Sequence, residues 1–508
     1  MTDSAQIITP SHSPFIRVDE ERVISDVDSR IYSGFLEHMG RCIYGGLVDF
    51  SETAGILVNE RGYRKDVFEA LKNLNMPIVR YPGGNFVSSY HWLDGVGPVS
   101  GRPRRPELAW LGEESNLFGT DEFIQWCRDI STEPYLCLNM GTGTLDEALA
   151  WVEYCNSDSD TYYANLRKQN GHERPYKVKY WGLGNEVWGP WQVGQMSSNE
   201  YSTKAFQWAK ALRLLDPDIE LIVCGCNGLE RWDYDVTQAL VAQAVDYYSI
   251  HLYTSDHDYY KNVTAPCAAE RAIQITARLL DLASISNNQH GRRTKICFDE
   301  WNVWDPERAP GFKGAEERYT LQDALSVASW CNIFVRQSAH VKIANIAQCV
   351  NVIAPIMTNQ TAMFLQTTYW PFYLFSKYMR GQALHLHVGT PLYNGETGFS
   401  MVDMTWIGKV EPAIPILDAS AVLNKDYIAI SVVNKDLNND LTTRINLEGK
   451  FREKVKTFTL YNDDINAKNS FETPSNVTLE EGLTSWANNS TEYTFLKHSF
   501  TLLVFIRA

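Results

Sequence analysis

The chain has no run near the ~18 apolar residues that a membrane-crossing helix requires, so insertion into a bilayer is not expected. It has no excess of positive charge either. Lys and Arg number 46 against 61 Asp and Glu, a net charge of -15, whereas nucleic-acid binding rests on clustered cations that neutralise phosphates. No Gly-rich phosphate loop follows a strand, which removes the usual nucleotide-binding signature. No CxxC pair occurs among the ten cysteines, and several lie inside apolar runs such as YLCLNM and KICFDE. They read as buried reduced thiols rather than a zinc site or disulfide framework. The N-terminus MTDSAQIITPSHSPF shows neither a basic start nor an apolar stretch of the secretory kind, and a cytoplasmic location is the expectation.

What remains is a 508-residue chain with 44% hydrophobic and 21% charged residues, long enough for a large α/β barrel and an accessory domain. Fifteen Trp, 26 Tyr and 21 Phe supply core, and also flat rings of the kind that stack on sugar faces. Eight short β-branched or aromatic runs recur through the first three quarters: 30–37, 77–84, 134–141, 178–186, 219–227, 245–253, 294–302 and 341–349. Helical spacing separates them. Val67, Leu71 and Leu74 mark one helix; Leu145, Ala148, Leu149 and Val152 mark another, opened by a Thr144 to Glu147 capping box. Nearly continuous apolar strands alternating with helices predict a (β/α)8 TIM barrel, with an open doubly wound sheet as the alternative.

From about residue 386 the texture turns to β alternation with Asn, Asp and Gly turns, as in HSFTLLVFIRA at the end. The expected division is residues 1–29 as N-terminal strands, 30–385 as the barrel, and 386–508 as a jelly-roll-like β-sandwich that those N-terminal strands join.

A barrel places catalytic groups at the C-terminal ends of its strands. Those ends carry Glu37 and His38, Arg80 and Asn85, Asn139, Asn185 and Glu186, Asn227, His251 and Tyr253, Asp299 and Glu300, and Gln348. Any one could be structural, but isolated buried polar groups are costly, and eight convergent ends imply a common pocket. Two carboxylates among hydroxyl-matching amides point to glycoside chemistry, with Glu186 on strand four and Glu300 on strand seven as the natural pair. A divalent cation site is the competing use of such carboxylates, disfavoured by the many amides and the flanking tryptophans. No cofactor or metal is expected. Apolar rings around Glu186 in YWGLGNEVWGPW lead to the expectation that it holds its proton more tightly than Glu300.

Four ordered motifs, RYPGGNFVSSYHWLDGVGP (80–98), YWGLGNEVWGPWQVG (180–194), FDEWNVW (298–304) and AQCVNVIAPI (347–356), resemble glycoside hydrolase family 51, the α-L-arabinofuranosidases. The likeness runs from about Ile31 into the sandwich. It implies a retaining, exo-acting barrel enzyme with Glu186 as acid/base and Glu300 as nucleophile. By the same matching, Glu37, Asn85, Asn185, Tyr253 and Gln348 grip the sugar, Arg80 orients the nucleophile, and Trp110 walls the subsite. Arabinofuranosyl oligo- or polysaccharides, such as arabinan and arabinoxylan, are the implied partners, and a homo-oligomer, hexameric in the family, is the implied assembly. Internal cleavage of β-1,4-glucan or xylan in the same site, and a non-catalytic sugar-binding barrel, are the alternatives. Val187 and Trp188 depart from the Met-Asp that many relatives place after the acid/base, which puts Trp188 at the leaving-group side.

Overall fold

The computed structural model describes residues 7–51, 55–239, 244–288, 294–398, 413–487 and 489–508. Eight parallel strands close into a barrel in the order expected of consecutive βα units. They are Ser33–Phe35, Ile78–Tyr81, Glu133–Cys137, Tyr180–Leu183, Glu220–Val223, Tyr247–Thr254, Lys295–Val303 and Val341–Ala347, one overlapping each apolar run of the sequence, with Glu133, Thr254 and Val303 one residue outside the expected bounds.

The interior is packed, not open. Ile78, Tyr135, Tyr180, Ile222, Tyr247, Cys297 and Ile343 form a separate buried cluster with one residue from each of seven strands. Below it Arg30 donates to the hydroxyls of Tyr180 at 2.9 Å and Tyr247 at 3.0 Å, which closes the N-terminal end. Only the opposite mouth is left for a ligand. Lys65–Leu74 buries Val67, Leu71 and Leu74 as its pattern predicts, and Leu145–Asn156 starts where the Thr144 hydroxyl accepts the Glu147 amide at 3.2 Å, but the Glu147 carboxylate meets His91 Nδ1 at 2.9 Å, so the expected capping box forms only in its Thr144 half.

Nine strands form one further sheet. It includes the N-terminal strand Phe15–Asp26, which pairs antiparallel with Gln382–Gly389 and parallel with Leu441–Leu447. The strand Gln382–Gly389 runs across the boundary expected at residue 386. Side-chain alternation gives the sheet two apolar faces. Leu503 and Phe505 of the last strand join a buried core with Ile16, Ile430 and Ile445, so the N-terminal strand and the C-terminal strands share one mostly-sheet domain. Phe500, Leu502 and Val504 point the other way into the barrel core.

One buried ion group fastens the sheet domain to the barrel. The Asp418 carboxylate meets the Arg336 guanidinium of the barrel helix Leu321–Arg336 and sits 3.1 Å from Lys435 Nζ. Burial alone would raise the Asp418 carboxyl, but the two cations outweigh it and hold it down at about 2. The folded value lies below the unfolded one near 3.9, so the stabilisation is complete above about pH 4 and is lost as pH falls toward 2. Asp418→Ala removes that partner from buried Lys435 and lowers stability by about 3–5 kcal/mol in urea unfolding at neutral pH, with a much smaller difference at pH 2. An equal loss at both pH values contradicts this account.

Candidate active site

At the open mouth a cavity of about 390 Å³ is lined by Glu37, Asn85, Trp110, Glu186, Tyr253, Glu300 and Gln348 together with Trp191, Trp304 and Phe312. Seven of the nine residues expected from the sequence therefore face it. Arg80 and Asn185 stand directly behind. Arg80 Nη1 donates to Glu300 Oε1 at 2.7 Å, and its Nη2 donates to Asn185 Oδ1 at 2.6 Å. One guanidinium thus fixes the ends of strands two, four and seven together.

The strand-two turn explains its glycines. A Cβ on Gly84 would stand 2.9 Å from Glu300 Oε1, and one on Gly83 would stand 2.6 Å from Glu37 Cγ. Only a bare backbone fits between the carboxylates. At the end of strand four Glu186 adopts a left-handed backbone (φ 41°), which is uncommon for a side chain of this size and tends to mark functional sites.

Glu37 forms the floor. Its carboxylate accepts from the Phe86 amide at 3.0 Å, Trp110 Nε1 at 3.1 Å and Gln348 Nε2 at 3.1 Å, while its own amide donates to Gln348 Oε1. Burial, then the nearby Glu300 charge, pushes the Glu37 carboxyl up to about 8 despite these bonds. Trp110 is held in turn by Glu107, whose carboxylate accepts the Ala109 and Trp110 amides at 2.6 Å.

Glu300 is 5% exposed and accepts from Tyr253 at 2.9 Å as well as from Arg80. Burial raises its carboxyl above the usual range, and His251 and Arg80 oppose that rise. The surroundings of Glu186 differ from the apolar shell expected of it. It is partly exposed, lies 3.0 Å from His251 Nδ1, and accepts from Trp191 Nε1 at 3.3 Å. The burial expected at Glu186 acts on Glu300 instead. Trp188 is likewise turned away, donating to the Gly225 carbonyl at 2.9 Å and packing edge-on against Trp191, so Trp191 and not Trp188 borders the pocket. Trp181 is core, as its position inside the strand implies.

Three other strand-end residues serve the loops. Asn139 donates to the Tyr90 carbonyl, Asn227 accepts the Leu229 amide, and His38 lies between Glu114 and Tyr81. Conversely, the wall residues Trp304, Pro306, Pro310 and Phe312 come from the loop after strand seven, which carries no signal beyond its aromatics and prolines.

Carboxylate oxygens of Glu186 and Glu300 and a ring nitrogen of His251 all lie within 4.8 Å of one another. Such a trio could in outline hold a cation. However, both ring nitrogens of His251 face carboxylates, Nδ1 toward Glu186 and Nε2 toward Asp299 at 3.1 Å. Burial pulls His251 down, but Glu300 and Asp299 outweigh it and hold it at about 10. A ring held as an imidazolium by these carboxylates is itself a cation in the site and would have to lose a proton before it could ligate a metal. The chemistry left to the arrangement is acid/base and nucleophilic work by two carboxyl groups over a sugar-sized polar floor.

Comparison with known proteins agrees. Residues 70–271 match the family model of the alpha-L-arabinofuranosidase 1 domain and residues 299–499 that of the alpha-L-arabinofuranosidase C-terminal domain. The chain is 54% identical to a probable alpha-L-arabinofuranosidase C of Aspergillus clavatus, over 98% of each chain. It is 35% identical to the intracellular exo-alpha-(1->5)-L-arabinofuranosidase 1 of Bacillus subtilis, over 96% of this chain and 97% of that one. It superposes with a TM-score of 0.88 and 38% identity on the thermostable GH51 alpha-L-arabinofuranosidase of Thermotoga petrophila, covering 97% of this chain and all of that one. With strand ends, pocket and whole-chain similarity in agreement, the chain belongs to the α-L-arabinofuranosidases of glycoside hydrolase family 51.

Proposed function

We propose that this α-L-arabinofuranosidase removes terminal arabinofuranosyl units from arabinan, arabinoxylan or their oligosaccharides by double displacement with retention at C1. The observation that carries the reading is the approach of one Glu186 carboxylate oxygen to one of Glu300 within 4.8 Å. Retaining glycosidases hold the two carboxyl groups about 5–5.5 Å apart, too close for a water to stand between one of them and the sugar.

In this reading Glu300, held by Arg80 and Tyr253, attacks C1 while Glu186 gives its proton to the departing oxygen. The bond from C1 to the aglycone breaks as an ester bond to Glu300 forms. Glu186 then takes a proton from water, which attacks C1 and releases arabinose and the Glu300 carboxylate. Asn185, Asn85, Glu37 and Gln348 are assigned the sugar hydroxyls, and Trp110 the adjoining wall. Exo action is supported by the printed name of the Bacillus relative.

The test is proton NMR of the sugar during the first seconds of hydrolysis. The α-anomer of arabinofuranose is expected first, and an initial β-anomer removes the mechanism. An intracellular setting, as in the Bacillus relative's name, and a homo-oligomer belong to the same reading. Light scattering tests the second, and a mass near six times that of one chain is expected.

A further inference from the structure

Asp299 precedes the proposed nucleophile and is 2% exposed, yet its side chain does not line the cavity. Each of its oxygens is engaged. Oδ1 accepts from the Ser249 hydroxyl and faces His251 Nε2 at 3.1 Å; Oδ2 accepts from the Tyr135 hydroxyl at 2.7 Å and lies 3.7 Å from Arg80 Nε. Three other strands, two, three and six, thus converge on one carboxylate that lies behind the cavity wall. The His251 ring it holds faces all three of these carboxylates: Nδ1 is 3.0 Å from Glu186 and 3.6 Å from Glu300, and Nε2 meets Asp299.

Charge through the proposed cycle gives this bridge a use. Before attack Glu300 is ionised and Glu186 protonated; in the covalent ester Glu300 is neutral and Glu186 ionised. The negative charge therefore moves from one glutamate to the other, and the His251 ring lies within reach of both. We propose that Asp299 is a positioning residue that holds His251 as an imidazolium between Glu186 and Glu300, so that one fixed cation serves whichever glutamate is ionised in each half of the cycle.

The proposal rests on the double-displacement reading. With Arg80, His251, Asp299 and one ionised glutamate, two positive charges meet two negative ones in both states, so the buried site never carries an uncompensated charge. The groups facing His251 are all accounted for in this sum: Glu186 from strand four, Asp299 and Glu300 from strand seven, with Arg80 and Tyr253 reaching the same carboxylates from strands two and six. Glu37 stands beyond Glu300 at the floor and faces Gln348 and Trp110 instead.

The test is the pH dependence of hydrolysis of the covalent ester, followed by stopped flow after a burst on dinitrophenyl arabinofuranoside. In the wild type the alkaline limb of that rate is expected to lie above the ordinary histidine range, because Asp299 and the ionised Glu186 both face the ring. In Asp299→Asn, which keeps shape and an acceptor oxygen, the alkaline limb moves down by at least about one unit toward the ordinary histidine range. Below the limb the rate reaches a pH-independent plateau, so the displaced limb is read apart from the height of that plateau. A merely structural Asp299 lowers the rate by the same factor at every pH and leaves the limb in place, which overturns the proposal. So does a wild-type limb already at pH 6–7, a result that needs no variant to fold. His251→Gln, in which no ring titrates, is expected to lose about 10-fold or more in ester hydrolysis with no alkaline limb, and wild-type rates in it also overturn the proposal. Absence of any burst in the wild type or in slow-hydrolysing variants would instead remove the double-displacement reading itself.

Discussion

Glu300→Ala loses turnover by at least on the order of 10⁴-fold on every arabinofuranoside, activated or not, while substrate still binds. The size follows from what the carboxylate does. It is the atom donor of the new bond to C1, and neither water nor the remaining glutamate can reach the same face of the sugar while Arg80, Tyr253 and Gly84 enclose the position. Removing it also leaves the buried Arg80 with one anionic partner fewer, which disturbs the site in addition to removing the nucleophile. Glu300→Gln separates the two effects, because it keeps the shape and an acceptor for Arg80 yet cannot form the ester. Steady-state rates on aryl arabinofuranoside, with circular dichroism to verify folding, decide the matter. More than about 1% of wild-type turnover in the Gln variant, free of contaminating enzyme, would falsify the assignment of Glu300 as nucleophile.

The sequence carried the barrel because each strand was a continuous apolar run that ended in a polar group. PIVRYPGG and TKICFDEWN could be read for both the strand and its functional end. Where side chains converge from strands far apart, that logic stops. That Arg80 would bind Asn185 as well as Glu300 depends on strand tilt and closure, which no local spacing encodes. The surroundings of Glu186 were misjudged for the same reason. Its neighbours along the chain are indoles, but its neighbours in space are His251 from strand six and Trp191 from a turn that its own left-handed backbone redirects. Trp188 was misplaced by that same turn, which sends its indole to the Gly225 carbonyl behind the pocket. The outer wall was the least legible part. Phe312, 68% exposed at the rim, sits in a loop in which Gly311 lies against Trp110 and Gly314 against Gly40, partners far away in the chain that periodicity does not link to it.

Glu186→Ala separates substrates by how badly their leaving groups need a proton. For an arabino-oligosaccharide the departing oxygen is a poor alkoxide, and loss of the acid is expected to lower kcat/KM by about 10³-fold, within the range of general acid catalysis. For dinitrophenyl arabinofuranoside the leaving oxygen is stable without a proton, so the first step and kcat/KM change by no more than about 10-fold. The second step is different, because water must now attack the Glu300 ester without a base whatever the original aglycone was. The ester therefore accumulates, a burst of phenol precedes a slow steady state, and the apparent KM falls together with kcat. Azide, a small anion that needs no deprotonation, fits the space vacated beside His251 and Trp191, attacks C1 and releases Glu300. It should raise the steady rate and yield the α-arabinosyl azide. An equal loss on both substrates with no response to azide would mean that Glu186 acts on binding or folding and that the proton comes from elsewhere, for which the buried, high-lying Glu37 would be the next carboxyl to test.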